Sequence, residues 1–102
     1  MIQKMKNLVP INVHDVDLSS VTDIEVCLKQ GSTELLYSGD QIQIGSESQL
    51  LISVEKSVAA TLDPSKYVYG QVMWTDENDI PDATDIFTIT VRKLLKEAGY
   101  GD

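Results

Sequence analysis

The chain is poor in the residue types that most often build catalytic, metal or disulfide sites. Its 102 residues include one cysteine, Cys27, and one histidine, His14. A lone cysteine excludes an intrachain disulfide and a cysteine-rich metal site. The G-x-S-x-G, H-E-x-x-H and C-x-x-C motifs are all absent. The sequence therefore gives no support to the hydrolase and zinc-site classes that these motifs mark, and we expect a protein that is not an enzyme and uses no cofactor.

Positive charge and long hydrophobic runs are scarce as well. Eight Lys and Arg residues stand against 16 Asp and Glu residues, which gives a formal net charge of -8. Binding to nucleic acid or to an anionic membrane relies on clustered Lys and Arg, so we expect neither as a partner. No apolar run reaches the ~18 residues needed to cross a membrane. Lys4 and Lys6 are not followed by the apolar stretch of a secretory signal.

The rest of the composition is ordinary for one globular domain. Hydrophobic residues make up 42% and charged residues 24% of the chain, which argues against disorder. At this length we expect a single domain that spans residues 1–102.

Short stretches of alternating hydrophobicity predict β-strands. Within residues 21–30, Val26 and Leu28 fall on one face, and within residues 67–75 Trp74 shares a face with the alternate apolar positions before it. A period of two is that of a half-buried strand. Further short strands are predicted at residues 8–13, 33–37, 42–44, 50–54 and 86–91.

About seven short strands with regular turn signals predict an all-β fold, namely a single antiparallel β-sandwich of the immunoglobulin-like kind. A small β-barrel is the alternative. Val54, Val58 and Leu62 recur at helical spacing and predict a helical turn near residues 55–61. A short C-terminal helix is predicted near residues 93–98.

The two reactive residue types each have an inert interpretation. His14 lies between a predicted strand and a turn, where a solvated histidine is commoner than a general base. Cys27 lies on the polar face of its strand. No basic residue that would activate it as a nucleophile stands near it, and Glu25 would raise its pKa, so inert packing or a subunit contact fits better.

The sharpest local feature is an acidic loop over residues 76–85. Asp76, Asn78 and Asp79 offer the oxygen ligands that Ca²⁺ prefers, and their spacing is similar to the start of an EF-hand loop. The central glycine and closing glutamate of that loop are missing. A solvated hairpin loop, whose charges keep an edge strand from pairing, is the favoured interpretation, and we expect no metal site.

A second feature is a row of large side chains on the best-defined strand. Tyr67, Tyr69 and Met73 share the face opposite Trp74. Because tyrosine is enriched at protein interfaces, this face is a candidate interaction surface. The alternative is that helical turns cover it as the second face of a central strand.

Several segments carry a resemblance to a known family. They are the Lys29-Gln30-Gly31 turn, the stretch from Val54 to Thr61, the Gln71-Val72 pair with Thr84 after it, and the tail from Ile86 to Leu95. With these segments the chain resembles small proteins encoded in the structural-gene regions of phages and prophages of Firmicutes and related gut bacteria. That family has no defined activity. The resemblance implies an immunoglobulin-like fold, a structural role on the phage head or tail, and a location in the virion or the host cytoplasm.

The leading functional hypothesis is therefore a phage structural or virion-accessory protein that acts through protein–protein contacts, either with partners in the particle or with copies of itself. A carbohydrate- or ligand-binding β-sandwich module is the alternative, since exposed tyrosines beside polar side chains suit it. An enzyme ranks third, because it requires His14 in a pocket with a carboxylate.

Overall fold

A computed structural model describes residues 1–2 and 5–92 of the chain. The strands are β1 (Asn7–Asn12), β2 (Thr22–Gln30), β3 (Thr33–Ser38), β4 (Ile42–Ser46), β5 (Gln49–Val54), β6 (Val68–Thr75), β7 (Pro81–Ala83) and β8 (Phe87–Ile89). One short helix, α1 (Lys56–Ala59), and one 3₁₀ turn (Gly39–Gln41) complete the elements.

The strands form two antiparallel sheets. The smaller sheet has the order β1-β5-β4, and the larger has the order β3-β2-β6, with β7 and β8 both pairing with the far side of β6. The two sheets share no strand among the described residues. This is the arrangement of a sandwich rather than a closed barrel, so the prediction of an all-β sandwich-like fold is confirmed.

The core lies between the sheets and follows the alternation that the sequence predicted. Val26 and Leu28 of β2 and Val72 of β6 have no exposed surface, and Trp74 is buried at the end of β6. Leu50, Ile52 and Val54 of β5 meet them from the other sheet. Their β-branched and aliphatic side chains suit a pleated surface that is buried on one face.

The predicted helical turn is present as α1, which begins after Glu55 and ends at Ala59. A helix of 4 residues is too short to be stable in isolation, and it is anchored because Ala59 is fully buried and Leu62 is almost so. The predicted helix near residues 93–98 lies outside the described residues.

The last predicted strand differs most from the structure. The strand predicted over residues 86–91 is shortened to β8, and an unpredicted short strand, β7, forms within the segment predicted as the acidic loop. The pairings of β7 and β8 to β6 differ by one residue. Thr84 lies in the interruption, where its hydroxyl accepts a hydrogen bond of 3.1 Å from the amide of Val72. Such a bulge bends an edge strand, and nothing in local propensity marks it.

The outer edge of β1 is free of backbone partners in the described part of the chain. The Val13 amide donates to the Ser48 carbonyl over 2.8 Å, so Val13, and with it every second residue back along β1, turns its backbone groups toward β5. Pro10 lies between two of these positions, so its backbone nitrogen faces the outer edge of β1. Its missing N–H therefore belongs to the outer edge and costs the sheet no hydrogen bond.

Candidate functional site

The outer face of the larger sheet is the candidate interaction surface. Tyr69, Gln71 and Met73 project from β6 on the side away from the core, and Tyr69 is 52% exposed. Pairing places Tyr69 beside Lys29 of β2, and Met73 beside Glu25 of the same strand. No helix in the described part of the chain packs over this face. The prediction that Tyr69 and Met73 share the face opposite Trp74 agrees with this placement.

Tyr67 lies just before β6 and is 55% exposed. It alternates in step with Tyr69, since Val68 between them is buried. It also lines a small hollow with Pro64, Lys66 and Thr90. Tyr67 therefore extends the row of Tyr69 and Met73 beyond the start of the strand.

Two further apolar side chains on this face were missed by the sequence analysis. Leu36 of β3 and Ile86, which precedes β8, are 55% and 67% exposed. Cys27 pairs with Leu36 on one side and with Gln71 on the other, which joins β3 to β6 across the face. Leu36 had a signal in the sequence, because adjacent Leu35 and Leu36 in a strand must point to opposite faces.

We call these five side chains the outer apolar patch. They are Cys27, Leu36, Tyr69, Met73 and Ile86. Monomeric proteins seldom expose contiguous apolar surface without a use for it, so the patch marks the best candidate contact area. Its rim is charged, since Lys29 and Glu34 lie 3.7 Å apart beside it with exposed side chains. An apolar centre with a polar rim is the usual composition of a protein–protein interface.

Cys27 sits in this patch as an unreactive thiol. Its sulfur lies 3.8 Å from Oε1 of Glu34, on the neighbouring strand. Burial first, and then the negative charge of Glu34, raise the pKa of the Cys27 thiol. The thiolate is the nucleophilic form, so both effects suppress reactivity. The interpretation of Cys27 as an inert packing residue therefore fits its surroundings, with Glu34 rather than Glu25 as the close acid.

A groove of about 700 Å³ lies on another side of the molecule, between the free edges of the two sheets. One wall comes from residues 10–16 and the other from residues 82–85 and 87–89, and Trp74 also lines the groove. His14 is exposed and lines this groove near Asp15, Asp82 and Asp85. No hydrogen bond joins the His14 imidazole to another described residue, so the structure shows no oriented acid–base pair there.

The acidic loop uses its first carboxylate to shape its own backbone. Oδ1 of Asp76 accepts hydrogen bonds from the amides of Asn78 and Ile80 at 2.8 and 3.0 Å. Asp79 adopts a positive φ of 60°, which aspartate tolerates better than most residues. Within residues 1–2 and 5–92, no group of three His, Cys, Asp or Glu residues is arranged to hold a metal ion. Asp76 thus acts as a turn residue.

Comparisons with known proteins found no match to this chain. No family model matches the chain, and neither a curated protein nor a solved structure is significantly similar to it. Among the described residues, none of the helices has both the length and the apolar character needed to cross a membrane.

Proposed function

We propose that this chain is a non-enzymatic phage or prophage structural or virion-accessory protein, and that it acts through protein–protein contacts made by the outer apolar patch. The observation that carries the proposal is the exposure of Leu36, Tyr69 and Ile86 on one sheet face, each more than half accessible. Burial of such side chains by a partner is favourable at about 25 cal/mol per Å². The resemblance to phage structural-region proteins supplies the setting.

The strand order supports an immunoglobulin-like fold for this module. In such domains strands B, E and D form one sheet, and strands C′, C, F and G form the other. The order β1-β5-β4 matches the first sheet, and β3-β2-β6 with β7 and β8 matches the second. The exposed face of the larger sheet is then the C′-C-F-G face, and it is free to carry contacts because the opposite face forms the core.

Purified particles provide the first test. Particles induced from the strain that carries the gene are analysed by mass spectrometry, and peptides of this protein are expected at stoichiometric levels. Presence in the lysate with absence from purified particles would contradict a virion location. The contact role would then be sought in assembly or in the host.

The patch is tested separately from the location. The Leu36→Lys and Tyr69→Lys variants are expected to lose incorporation into particles, or to lose self-association in analytical ultracentrifugation, while they keep the wild-type melting temperature. Leu8→Lys is the matched control, because Leu8 is 62% exposed on the other sheet. Equal loss in all three variants would contradict a role specific to the patch.

The carbohydrate-binding alternative is answered by a glycan array. Binding of one glycan class that is abolished by Tyr69→Ala would favour that alternative, because tyrosine rings stack on sugars and Gln71 and Lys29 flank this one. No binding across the array, together with particle incorporation, supports the contact role.

A further inference from the structure

The strand edges beside the groove carry backbone groups with which another segment can pair. β1 ends the smaller sheet, β8 ends the larger one, and residues that adjoin both strands line the same groove. An open edge carries unpaired N–H and C=O groups, which makes it a template for an added strand. In the immunoglobulin order, the position beside β1 is that of strand A, and no described strand occupies it.

The β8 edge already holds one extended segment at its far end. The α-amino group of Met1 donates to the carbonyl of Thr90 over 2.9 Å, and the amide of Arg92 donates to the carbonyl of Met1 over 2.7 Å. Ile2 and Arg92 form a parallel β-bridge. Since alternate residues turn to the same edge, the backbone groups of Thr88 point outward as those of Thr90 do.

The β7 part of the same edge is blocked. Pro81 has no N–H to offer, and the amide of Ala83 is taken by the Asp82 carboxylate at 2.8 Å. The bulge at Thr84 further bends the strand away from a regular ladder. An incoming strand would therefore pair along residues 87–89, between the bulge and the Thr90 carbonyl that Met1 already occupies.

The side chains of the groove define what such a strand would carry. Phe87 and Ile89 are partly buried and give the groove apolar surface, beside the nearly buried core residues Ile11, Val13 and Trp74. Three carboxylates, those of Asp15, Asp82 and Asp85, line the same groove, and no Lys or Arg among the described residues does. The lining therefore offers apolar surface and negative charge to one occupant.

We propose that this groove binds an extended segment of a partner protein that carries both apolar and basic residues, and that the segment adds as a strand to the β8 edge. Main-chain hydrogen bonds to Thr88 would give the segment its register, and the apolar and acidic walls would select its side chains. This surface is distinct from the outer apolar patch, so the inference stands whether or not the patch binds particle proteins.

The probe is a synthetic peptide of about six residues, the usual strand length, made of lysine and valine in alternation. The same peptide with glutamate in place of each lysine is the control for charge. Trp74 is the only tryptophan in the chain, so its fluorescence reports on the groove. The lysine peptide is expected to change that fluorescence, to shift the amide resonances of Phe87, Thr88 and Ile89, and to bind more weakly as salt screens the carboxylates.

Two variants, each with a matched control variant, separate edge pairing from general attraction to an acidic protein. Asp85→Lys is expected to weaken binding about tenfold or more, by the loss of an attraction and the gain of a repulsion. Asp40→Lys makes the same charge change at an exposed position outside the groove and is expected to leave affinity nearly unchanged. Thr88→Pro removes an outward N–H without breaking the ladder to β6 and is expected to abolish binding, whereas Thr88→Val is not.

The proposal is overturned by any of three results. One is equal affinity for the lysine and glutamate peptides. Another is equal weakening by Asp85→Lys and Asp40→Lys, which also decides the matter if Thr88→Pro does not fold. The third is a dimer of the chain itself that disappears in Asp85→Lys, which would assign the groove to a second copy instead of a partner.

Discussion

Oε1 of Gln30 accepts a hydrogen bond of 2.6 Å from the backbone amide of Asp63, which lies 33 positions further along the chain. The same carboxamide donates through Nε2 to the carbonyls of Asp63 and Lys66 at 2.8 and 3.1 Å. Gln30 is 8% exposed and is the one buried polar residue in the described part of the chain. It ties the end of the β2–β3 hairpin to the loop that leads into β6.

Gln30→Ala is expected to lower the free energy of unfolding by about 2 kcal/mol or more, because it leaves backbone groups of Asp63 and Lys66 without their partner at about 1–3 kcal/mol for each buried unsatisfied group. Urea denaturation measures the change. Gln43→Ala, at an exposed position of β4, is the control and is expected to have little effect. Equal stability of the two variants would show that water replaces the Gln30 contacts without cost.

Gly70 is expected to tolerate no side chain. A Cβ at this position would lie 2.5 Å from Cε2 of Phe87 and 3.0 Å from Cδ2 of Leu28. Gly70→Ala should therefore cost about 1–3 kcal/mol of stability, as overpacking of a core does. The cost should fall when Phe87→Leu is combined with it, as a double-mutant cycle by thermal denaturation would show. Simple additivity of the two changes would contradict a clash with the Phe87 ring.

The Cys27 thiol is expected to react slowly with iodoacetamide near pH 8, because burial and then the Glu34 carboxylate raise its pKa. Glu34→Gln should increase the alkylation rate, because the loss of the Glu34 charge lowers the pKa of the thiol and raises the thiolate fraction. Lys29→Gln removes a cation that lowers the same pKa and should decrease the rate. A pH–rate profile distinguishes these effects from changes in access, which would alter the plateau instead.

Stability is expected to fall in acid partly through the Asp63 turn. The Ser65 hydroxyl and then the Ser65 amide hydrogen-bond to the Asp63 carboxylate and lower its pKa from 3.8. A carboxyl with a lowered folded-state pKa contributes stability that is present above the unfolded-state value and is lost as the pH falls through the folded-state value.

The Ser65→Ala variant should therefore lose less stability than the wild type between about pH 5 and pH 2, the range in which such carboxylates are protonated. Urea midpoints at several pH values measure this, with Ser57→Ala in α1 as the control. Parallel pH profiles for all three proteins would assign the acid sensitivity to other groups, among them Asp17, whose pKa Ser19 lowers in the same way.

The sequence by itself determined the class of fold and the inward face of its central strands. Val26 and Leu28, like Val72 and Trp74, recur at every second position of their strands, and burial of one face of a strand requires that period. The turn at Gly31 was equally readable, because a glycine between two strand-like runs marks a turn, and its φ of 58° in the structure is one that glycine adopts readily. These features follow from residues that lie close together in the sequence.

Only the tertiary structure decided which strands meet. It joined Leu36, Cys27 and Tyr69 into one patch across three strands, and it set the free edges of β1 and β8 beside the same groove. It also buried Gln30, which composition would place on the surface. Each of these outcomes depends on contacts between residues far apart in the chain, and strand pairing, unlike alternation, leaves no period in the sequence.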